Sequence, residues 1–580
     1  MSKALSHFDV DHRLLYIRNI FVFSMSFLIV GMVYFQLVKA DEYVNMASNN
    51  RLRVIRLLSP RGNIYDASGV PLAVNVRTFE IKTYPMDLRT DEEFIRTAAL
   101  FARHGIPMTS TDLKESVDKQ YIAPYRAVSV AGNLTLAQIS DLVMDPDFSQ
   151  NLFPSPVWRR IYPTGTLTAH VIGYVSEITR DELEDQRDLY YQAGDIVGKS
   201  GIEAMYEESL RGVVGEQVVE VDSRSRRLRN VNYSDPQKGN DVKLSLDLAA
   251  QREALRLMEG RKGVLVAMDV NDGSVRVFLS SPTYDPNPLT WGISSKAWSA
   301  LLDDPDKPMM NRVIGGAYPP GSTFKVVTAA GLLMENIVNT KTTVFCPGYF
   351  RIGDPPRTFR CWRRSGHGTE DILGALRDSC DVFFYQNSVK LGIDKLVEWG
   401  RDFGVGERTG IDIPGESRGT IAGREWKRNR TGEPWYQGDT VNYAIGQGYL
   451  LMTPMQLARV YAAFANGGKL VVPRFNSEKA PEWNDVNVSK TNMDIIRRGI
   501  RDVVGLGTGR IAGTYGIEVA GKTGTAQNSQ GNDHAWFVGY APVNNPKYVA
   551  VALIEFGGAG SSVAAPIVAQ MLAYLLRNDI

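Results

Sequence analysis

A serine and a lysine one helical turn apart form the most reactive pair in the sequence. Ser322 and Lys325 follow Pro-Pro-Gly and open a long apolar run, which predicts a loop that ends where a buried helix begins. The three-residue spacing puts both side chains on one helix face. A serine hydroxyl becomes a strong nucleophile when a neighbouring base takes its proton, and a partly desolvated lysine can be that base. The pair therefore predicts acyl transfer, and the alternative is a helix cap followed by a solvated lysine.

Two further motifs follow this pair along the chain. Ser379-Cys380-Asp381 begins 57 residues after Ser322, and Lys522-Thr523-Gly524-Thr525 lies in a predicted strand near the C-terminus. Ser-x-x-Lys alone is a common accident. In this order, however, Ser-x-x-Lys, a Ser-x-Asn-like triplet and Lys-Thr-Gly resemble the signature of penicillin-binding proteins and serine β-lactamases.

The resemblance extends beyond these motifs to nearly the whole chain. It is strongest to the class B penicillin-binding proteins, the monofunctional peptidoglycan D,D-transpeptidases, and among them to the elongation-type penicillin-binding protein 2 group. The stretches that carry it are RGNIYD at 61–66, IYPTGTLTAHVIGYV at 161–175, VGKSGIEAMYEESLRG at 197–212, WYQGDTVNYAIGQGYLLMTPMQLA at 435–458 and DHAWFVGYAP at 533–542.

An α+β fold is what this resemblance implies. A penicillin-binding, serine β-lactamase-like transpeptidase domain, with helices around a five-stranded antiparallel sheet, is expected over 241–580. An elongated mixed pedestal region of the dimerisation type is expected over 39–240, with the boundary at the turn-forming string SDPQKGN. A transmembrane anchor over 20–38 and a cytoplasmic tail over 1–19 would precede it.

The resemblance also assigns a role to each motif residue. Ser322 would attack the carbonyl of the penultimate D-alanine of a peptidoglycan stem peptide, with Lys325 as general base. Ser379 would relay a proton to the leaving amine and later from the incoming one. Lys522 would supply positive potential, and Thr523, Gly524 and Thr525 would bind the substrate carboxylate. The backbone amides of Ser322 and Thr525 would form the oxyanion hole.

Asp381 departs from the general pattern, which has asparagine at this position. Asparagine can both donate and accept hydrogen bonds, whereas an ionised aspartate only accepts. An aspartate near Lys325 would also favour the charged lysine and so oppose its role as a base. We expect Asp381 in the active site and leave its protonation role open.

All three cysteines and one histidine lie within 35 residues: Cys346, Cys361, His367 and Cys380. Three thiolates and one imidazole make a complete ligand set for a structural zinc ion, although the spacing is not that of a known finger. Asp354 and Glu370 are reserve ligands. The alternatives are a disulfide with one free thiol, or three buried core cysteines. Catalysis itself would need no cofactor.

The secondary structure that must position these residues follows from local patterns. Gly263–Ala267 and Ser274–Ser280 predict a hairpin through Asn271-Asp272-Gly273. With three late strands they predict one antiparallel sheet built from both ends of the domain, beside a mostly helical region over 300–500. The other predicted strands are Val242–Leu246, Ile517–Thr525, Ala535–Tyr540 and Tyr548–Glu555, and the predicted helices are Thr90–His104, Gly201–Leu210, Ala249–Met258 and Val563–Leu576.

The N-terminal part of the chain predicts a membrane anchor. Ile20–Val38 has no charged residue, and its 19 residues span about 28 Å as a helix. A cleaved signal peptide is the alternative, but the run is longer than a signal core. Lys3, Arg13 and Arg18 place the N-terminus in the cytoplasm and the catalytic part outside the cytoplasmic membrane.

Composition limits the remaining possibilities. The 580 residues include 65 basic and 64 acidic side chains, and this balance argues against a nucleic-acid surface. Three cysteines are too few, and odd in number, for a disulfide-built fold. The remaining alternatives are a β-lactamase or carboxypeptidase of the same fold, and a non-catalytic scaffold or β-lactam sensor. The resemblance implies β-lactam antibiotics as ligands and, because no polymerase region is visible, a SEDS-family glycan polymerase of the RodA type as partner in the elongation complex.

Overall fold

The structure, a computed structural model, describes residues 4–40, 52–121, 124, 127–185, 191–221, 227–528 and 531–578. The chain forms two compact units, each assembled from separate stretches of sequence. The first unit comprises Met1–Pro60, Phe79–Val157 and Val213–Lys238. The second comprises Arg61–Thr78, Trp158–Gly212 and Gly239–Ile580 and includes every predicted catalytic residue. The predicted domain boundary at 240 stays a prediction.

The first unit contains the apolar N-terminal helix. This helix runs over Ala4–Val33 and continues as a π-helical turn over Tyr34–Val38. In the part of the chain that the structure describes, His12–Val38 is the one segment long and apolar enough to cross a membrane. The predicted anchor over 20–38 is therefore helical along its whole length.

Sheets and capped helices make up the rest of the first unit. In one sheet, Gly215–Val221 lies between Leu52–Leu57 and Arg227–Ser234. In the other, Val128–Leu134 pairs antiparallel with residues 79–83 of the strand Pro71–Thr83, which also pairs with Leu152–Ile161. Reciprocal side-chain to backbone hydrogen bonds start the helices Asp91–Arg103, Ser110–Gln120 and Leu136–Val143. The first of these helices confirms the prediction over 90–104.

A five-stranded antiparallel sheet is the centre of the second unit. Its strands are β1 (Gly263–Asp269), β2 (Val275–Ser281), β3 (Ala520–Ala526), β4 (His534–Ala541) and β5 (Tyr548–Ile554). They lie in the order β2-β1-β5-β4-β3, so the early and late strands join where β1 pairs with β5. The predicted sheet built from both ends of the domain is confirmed.

Five helices surround this sheet and the predicted site: α1 (Leu248–Met258), α2 (Lys325–Met334), α3 (Asp381–Leu391), α4 (Lys490–Gly505) and α5 (Ala564–Arg577). Side chains alternate across each strand, so the sheet has two apolar faces. Leu265 and Phe537 on one face join a core with residues of α1 and α5. Val266 and Trp536 on the other face join the core of the helical region. The sheet is therefore the middle layer of three.

The turn between β1 and β2 shows why the early hairpin could be predicted. Gly273 has a φ of +74°, which favours glycine, and a Cβ atom there would lie 2.2 Å from the carbonyl oxygen of Val472. Asp272 accepts a hydrogen bond from the backbone amide of Ser274 at 2.8 Å. Asn-Asp-Gly thus supplies both the conformation and the side-chain bond that the turn needs.

Helices are the commonest regular elements of the region 300–500, but they cover fewer than half of its residues, because short hairpins and irregular segments lie between them; the prediction of a mostly helical region is therefore only partly right. Besides α2 to α4, the helices of this part and just before it are Asn287–Trp291, Ser295–Leu302, Ile372–Arg377, Ile393–Asp402, Arg424–Thr431, Gln437–Ala444 and Pro454–Asn466. The paired strands are Val344–Cys346 with Gly368–Glu370, Tyr349–Ile352 with Arg357–Arg360, Thr420–Ile421 with Leu450–Leu451, and Lys469–Val471 with Trp483–Asp485.

Two predicted elements differ in the structure. The helix expected over 201–210 divides at Tyr206 into Gly201–Met205 and Glu207–Arg211, because the backbone of Tyr206 has a φ of −107°. The strand expected over 242–246 is shorter, Val242–Lys243, because the amide of Ser245 instead donates to the carbonyl of Phe475 at 2.6 Å. Small elements between Arg61 and Lys243 complete the second unit: Ile64–Tyr65, Ala169–Ile172, Val175–Glu177, Arg180–Asp185 and Ile196–Gly198.

A buried ion-pair network joins distant segments of the second unit. Glu203 is fully buried, and its two carboxylate oxygens accept from Arg61 Nε and Arg160 Nε, each at 2.6 Å. Arg61 also donates to Glu207 at 2.6 Å. Burial by itself raises the pKa of Glu203, but Arg160 and Arg61 lower it below its usual value. The network therefore holds a charged carboxylate where water is excluded.

Candidate active site

Ser322 lies in a 3₁₀ turn, Gly321–Phe324, that leads directly into α2. The turn is fixed from both sides: Thr323 Oγ1 donates to the carbonyl of Pro320 at 2.7 Å, and Trp536 Nε1 donates to that of Pro319 at 3.1 Å. Gly321 has a φ of +54°, and a Cβ atom there would lie 2.8 Å from the carbonyl oxygen of Thr525. Glycine thus lets the turn approach β3, and Ser322 remains half-buried. We call the region bordered by this turn, the triplet Ser379-Cys380-Asp381 and β3 the cleft.

Lys325 begins α2 one turn after the serine and is fully buried. Its Nζ donates to Asp381 Oδ1 at 2.6 Å, to Ser379 Oγ at 3.1 Å and to the carbonyl oxygen of Ser379 at 2.9 Å. An ammonium group has three N–H donors, so this set of partners can use all of them. The sequence alternative of a solvated lysine after a helix cap is therefore wrong.

The triplet Ser379-Cys380-Asp381 forms the sharp connection between the helix Ile372–Arg377 and α3. Ser379 has a φ of +57°, a conformation that residues other than glycine adopt rarely and that clusters at functional sites. Asp381 Oδ2 accepts from the backbone amide of Trp362 at 2.9 Å, while Oδ1 accepts from Lys325. Burial raises the pKa of Asp381, and the charge of Lys325 opposes the rise.

Lys522 lies in the middle of β3, the edge strand of the sheet, and is fully buried. Its Nζ lies 3.4 Å from the carbonyl oxygen of Thr523. Burial, and then the charge of Lys325, lower the pKa of Lys522 well below the ordinary lysine value. Two lysines thus share one desolvated region, and the charge of Lys325 disfavours the charged form of Lys522.

The residues after Lys522 border the same cleft. Thr525 is exposed, and its carbonyl oxygen accepts from Gln447 Nε2 at 3.3 Å. Thr523 is mostly buried, and its hydroxyl lies 2.9 Å from the hydroxyl of Thr508. A Cβ atom at Gly524 would lie 2.9 Å from Thr323, so this glycine allows close packing of β3 against the serine turn. The structure thus packs β3 against the turn that carries Ser322.

The four predicted metal ligands meet behind the triplet. The ligand atoms of Cys346, Cys361, His367 and Cys380 all lie within 4.8 Å of one another. His367 Nδ1 is 3.6 Å from Cys346 Sγ and 3.5 Å from Cys361 Sγ. All three cysteines are free and buried. Hydrogen bonding between the thiols of Cys361 and Cys380 is the largest influence on both groups. It lowers the pKa of Cys361 and raises the pKa of Cys380.

Comparison with protein families decides what kind of protein carries this cleft. The family model of the penicillin-binding protein transpeptidase domain matches residues 263–573, which is more than half of the chain. The model of the penicillin-binding protein dimerisation domain matches residues 56–244. The chain belongs to the class B penicillin-binding proteins.

Relatives of this class B penicillin-binding protein are similar over nearly the full chain. The peptidoglycan D,D-transpeptidase MrdA of Haemophilus influenzae is 34% identical, over 97% of this chain and 92% of the relative. MrdA of Escherichia coli K12 is 32% identical, over 95% and 92%. These identities confirm that the chain is most similar to the elongation-type group.

Solved structures agree with this assignment. Penicillin-binding protein 2 of Helicobacter pylori, in its complex with MreC, superposes with a TM-score of 0.84 at 30% identity, over 91% of this chain and 99% of that one. A structure described as structural coordination of polymerization and crosslinking by a peptidoglycan synthase complex gives a TM-score of 0.72 at 30% identity, over 97% and 98%. The fold predicted from the sequence is therefore confirmed.

Three residues of this penicillin-binding protein's cleft were missed by the sequence reasoning. Trp362 supplies the amide that holds Asp381, Gln447 reaches Thr525, and Thr508 pairs with Thr523. Gln447 lies inside one of the stretches that carry the family resemblance, so its motif was a usable signal. Trp362 and Thr508 act through contacts that only the folded chain creates.

Proposed function

We propose that this chain cross-links peptidoglycan as a serine-type D,D-transpeptidase in cell-wall elongation and is acylated by β-lactams. One observation carries the proposal: Lys325, one turn after Ser322, is within hydrogen-bond distance of both Ser379 and Asp381. Two motifs far apart in sequence thus supply one nucleophile and one proton-transfer network. The relatives that are named peptidoglycan D,D-transpeptidases support the same reaction.

In the proposed first step, Ser322 Oγ attacks the carbonyl carbon of the penultimate D-alanine, and its proton passes to Lys325, which accepts it as a neutral amine. The backbone N–H groups of Ser322 and Thr525 donate to the oxyanion that forms and stabilise it, as paired backbone donors do in other acyl-transfer enzymes. The peptide bond to the terminal D-alanine then breaks. Its nitrogen takes a proton through Ser379, whose Oγ lies 3.1 Å from Lys325 Nζ. The products are a serine ester and free D-alanine.

In the second step, the amine of another stem peptide attacks this ester. It loses a proton to the same relay, a new peptide bond forms, and Ser322 recovers its proton. Before the first step, Lys522, Thr523 and Thr525 bind the carboxylate of the terminal D-alanine of the donor peptide. Gly524 keeps β3 close to the turn that carries Ser322. Asp381 orients Lys325 through Oδ1, and the backbone amide of Trp362 donates to Asp381 Oδ2.

Labelling with a fluorescent penicillin tests the proposed chemistry. The full-length protein should form a covalent adduct that survives denaturation, and Ser322→Ala should form none. Slow hydrolysis of the adduct separates a transpeptidase from a β-lactamase of the same fold. Cross-linking of nascent glycan, measured with a glycan polymerase supplied, separates it from a carboxypeptidase or a non-catalytic sensor.

We also propose that Cys346, Cys361, His367 and Cys380 hold a structural zinc ion. Three sulfur donors and one nitrogen match a closed tetrahedral site. The ligand atoms lie within 4.8 Å of one another, which is close enough for them to surround one zinc ion with zinc–sulfur bonds of about 2.3 Å. The His367 nitrogen that faces the sulfurs is Nδ1, at 3.6 Å from Cys346 Sγ and 3.5 Å from Cys361 Sγ. The ion would clamp the loop of Cys361 and Trp362 to the catalytic triplet.

Metal analysis of the purified protein tests the zinc site. We expect about one zinc per chain, and Cys361→Ser should lower both the zinc content and the rate of penicillin acylation. An intact, metal-free protein with a mapped disulfide among these cysteines would contradict the proposal.

We propose further that the chain is anchored in the cytoplasmic membrane and works there with other cell-wall proteins. The helix over 20–38 anchors the chain in the cytoplasmic membrane, with the basic residues Lys3, Arg13 and Arg18 inside and the catalytic unit outside. A glycan polymerase of the RodA type supplies new strands, and other elongation proteins bind alongside. The Helicobacter pylori relative bound to MreC and the peptidoglycan synthase complex support such partners. Co-purification from detergent tests the association.

A further inference from the structure

A strongly basic hairpin projects beside the catalytic triplet. Residues 349–364, which we name the arginine hairpin, contain five arginines and one acidic residue, Asp354, whereas the whole chain has a net charge of +1. Its arginines are all exposed: Arg351, Arg357, Arg360, Arg363 and Arg364. None of them forms an ion pair with a residue that the structure describes. Their positive charge is therefore available to a ligand.

Strand geometry separates this hairpin into two faces. Tyr349 pairs with Arg360, and Arg351 pairs with Thr358, in an antiparallel register. Because side chains alternate across a strand, these four lie on the same face. The guanidinium of Arg351 lies 5.1 Å from the centre of the Tyr349 ring. The outer face thus presents two guanidinium groups and an aromatic ring.

The opposite face attaches the hairpin to the catalytic unit. Phe350 and Phe359 pair with each other there and are partly buried against the main core. Their ring centres lie 6.4 Å and 5.9 Å from that of Tyr385, which belongs to α3. Since α3 begins with Asp381, the hairpin rests on the helix that carries the triplet.

The end of the hairpin also contacts the triplet directly. Trp362 donates its backbone amide to Asp381 at 2.9 Å and its indole N–H to the carbonyl of Asp378 at 3.0 Å. A ligand on the outer face would therefore be held by an element that is attached to the triplet. This position suits a part of the substrate that does not react.

We propose that the arginine hairpin binds the carboxylates of a glycan strand that displays several uncross-linked stem peptides. The inference rests on the proposed function, because that function gives each free stem a terminal carboxylate. A strand with many stems is then a polyanion, and guanidinium groups bind carboxylates with paired hydrogen bonds. The hairpin would hold the strand while Ser322 reacts with one of its stems.

Electrostatic binding of this kind has measurable properties. Exposed charges attract a polyanion over about 10 Å at 0.1 M salt, and the attraction weakens as salt is added. It changes the affinity for long anionic strands and leaves the reaction with a small penicillin unaltered. Acylation by penicillin therefore separates the hairpin from the cleft.

The test measures strand binding to the full-length protein in detergent after complete acylation with penicillin, which blocks turnover. The probe is a fluorescent, soluble, uncross-linked peptidoglycan strand, titrated at 50 and 200 mM salt. We expect Arg351→Glu with Arg360→Glu to raise Kd about tenfold at low salt and to flatten the salt dependence. Lysine at both positions keeps the charge but loses the paired hydrogen bonds, so Kd should rise by about threefold, which is less than in the glutamate variant. Strands with amidated carboxylates should bind the wild type about tenfold more weakly.

The matched control reverses two other exposed arginines, Arg252 in α1 and Arg498 in α4, and should leave Kd within about twofold. An unchanged Kd in the hairpin variant, an equal loss in the control, or no effect of amidation would overturn the proposal. So would slower penicillin acylation of the hairpin variant, because the hairpin would then act on the triplet. Equally reduced binding to vesicles containing phosphatidylglycerol would assign the surface to lipid instead. Failure of the wild type to acylate would refute the proposed function and not this inference.

Discussion

At the scale of single residues, Asp381 distinguishes this cleft from the general family pattern. Both of its carboxylate oxygens accept hydrogen bonds, one from Lys325 Nζ at 2.6 Å and one from the amide of Trp362 at 2.9 Å. Asparagine can offer an acceptor to only one of these donors, because its other terminal atom is itself a donor. The aspartate is therefore matched to the Trp362 amide, a partner that the motif does not reveal.

Asp381→Asn should consequently impair this enzyme, although it restores the commoner motif. One donor would face another donor in a buried site, at a cost of about 1–3 kcal/mol, and penicillin acylation should slow by about tenfold or more. Stopped-flow acylation of the purified protein measures this rate. Asp354→Asn, at the exposed turn of the arginine hairpin, is the control and should react at the wild-type rate. Equal or faster acylation of Asp381→Asn would refute the role given to the Trp362 contact.

The proposed catalytic residues could be named from the sequence because their identities and order form a specific pattern. Ser322, Lys325 and the Lys522 strand could be named from three short motifs. Their supporting partners could not be named so easily, because hydrogen bonds such as Thr508 to Thr523 depend on the path of the backbone between elements. Sequence reasoning thus named the proposed reacting groups and missed the groups that contact them.

At the scale of elements, local turn chemistry decided which predictions succeeded. Asn271-Asp272-Gly273 predicted the β1–β2 hairpin, and the long apolar run after Ser322 predicted α2. The arginine hairpin lies in a region that was predicted to be mostly helical. The hairpin itself was missed because its strands have four residues each and are too short to show clear alternation. Tyr206 divides a predicted helix because its own backbone leaves the helical region. No glycine or proline next to Tyr206 indicates this break in the sequence.

The short helix Ala169–Ile172 carries a buried histidine that should make stability depend on pH. Burial lowers the pKa of His170 from 6.5 to about 4. Between these values the unfolded chain binds a proton that the folded chain does not, so stability is complete above pH 6.5 and falls as the pH approaches 4. At pH 5 the loss should be about 2 kcal/mol.

His170→Phe removes this titration and keeps an aromatic ring beside Tyr284, whose centre is 5.4 Å from the histidine ring. Urea unfolding of the full-length protein in detergent, followed by tryptophan fluorescence, should show a smaller difference between pH 7.5 and pH 5 for the variant than for the wild type. The same difference in both proteins would contradict the assignment.

At the scale of the whole molecule, the second unit is built from segments far apart in the chain. Glu203 connects two of them, because it accepts from Arg61 and Arg160 at 2.6 Å each. These residues lie in or next to three of the stretches that carry the family resemblance. The sequence showed that those stretches belong together, but not that they meet at a buried carboxylate, since charge pairing across 142 residues leaves no local pattern.

Glu203→Gln should destabilise the second unit strongly. It would leave the buried Arg160 without its anion and Arg61 with Glu207 alone, and removing one partner of a buried ion pair costs about 3–5 kcal/mol. Thermal unfolding followed by circular dichroism measures the effect. Glu92→Gln breaks the exposed pair with Arg96 and should cost less than about 1 kcal/mol. Similar melting temperatures for the two variants would show that the network is not important for stability.

The central claim is that Ser322 is the nucleophile of a penicillin-sensitive transpeptidase, and fluorescent-penicillin labelling of the full-length protein tests it most directly. We expect the wild type to form one covalent adduct on the peptide that contains Ser322, and Ser322→Ala to form none while keeping the wild-type melting temperature. An adduct on another residue, or a folded wild type that does not react, would contradict the account.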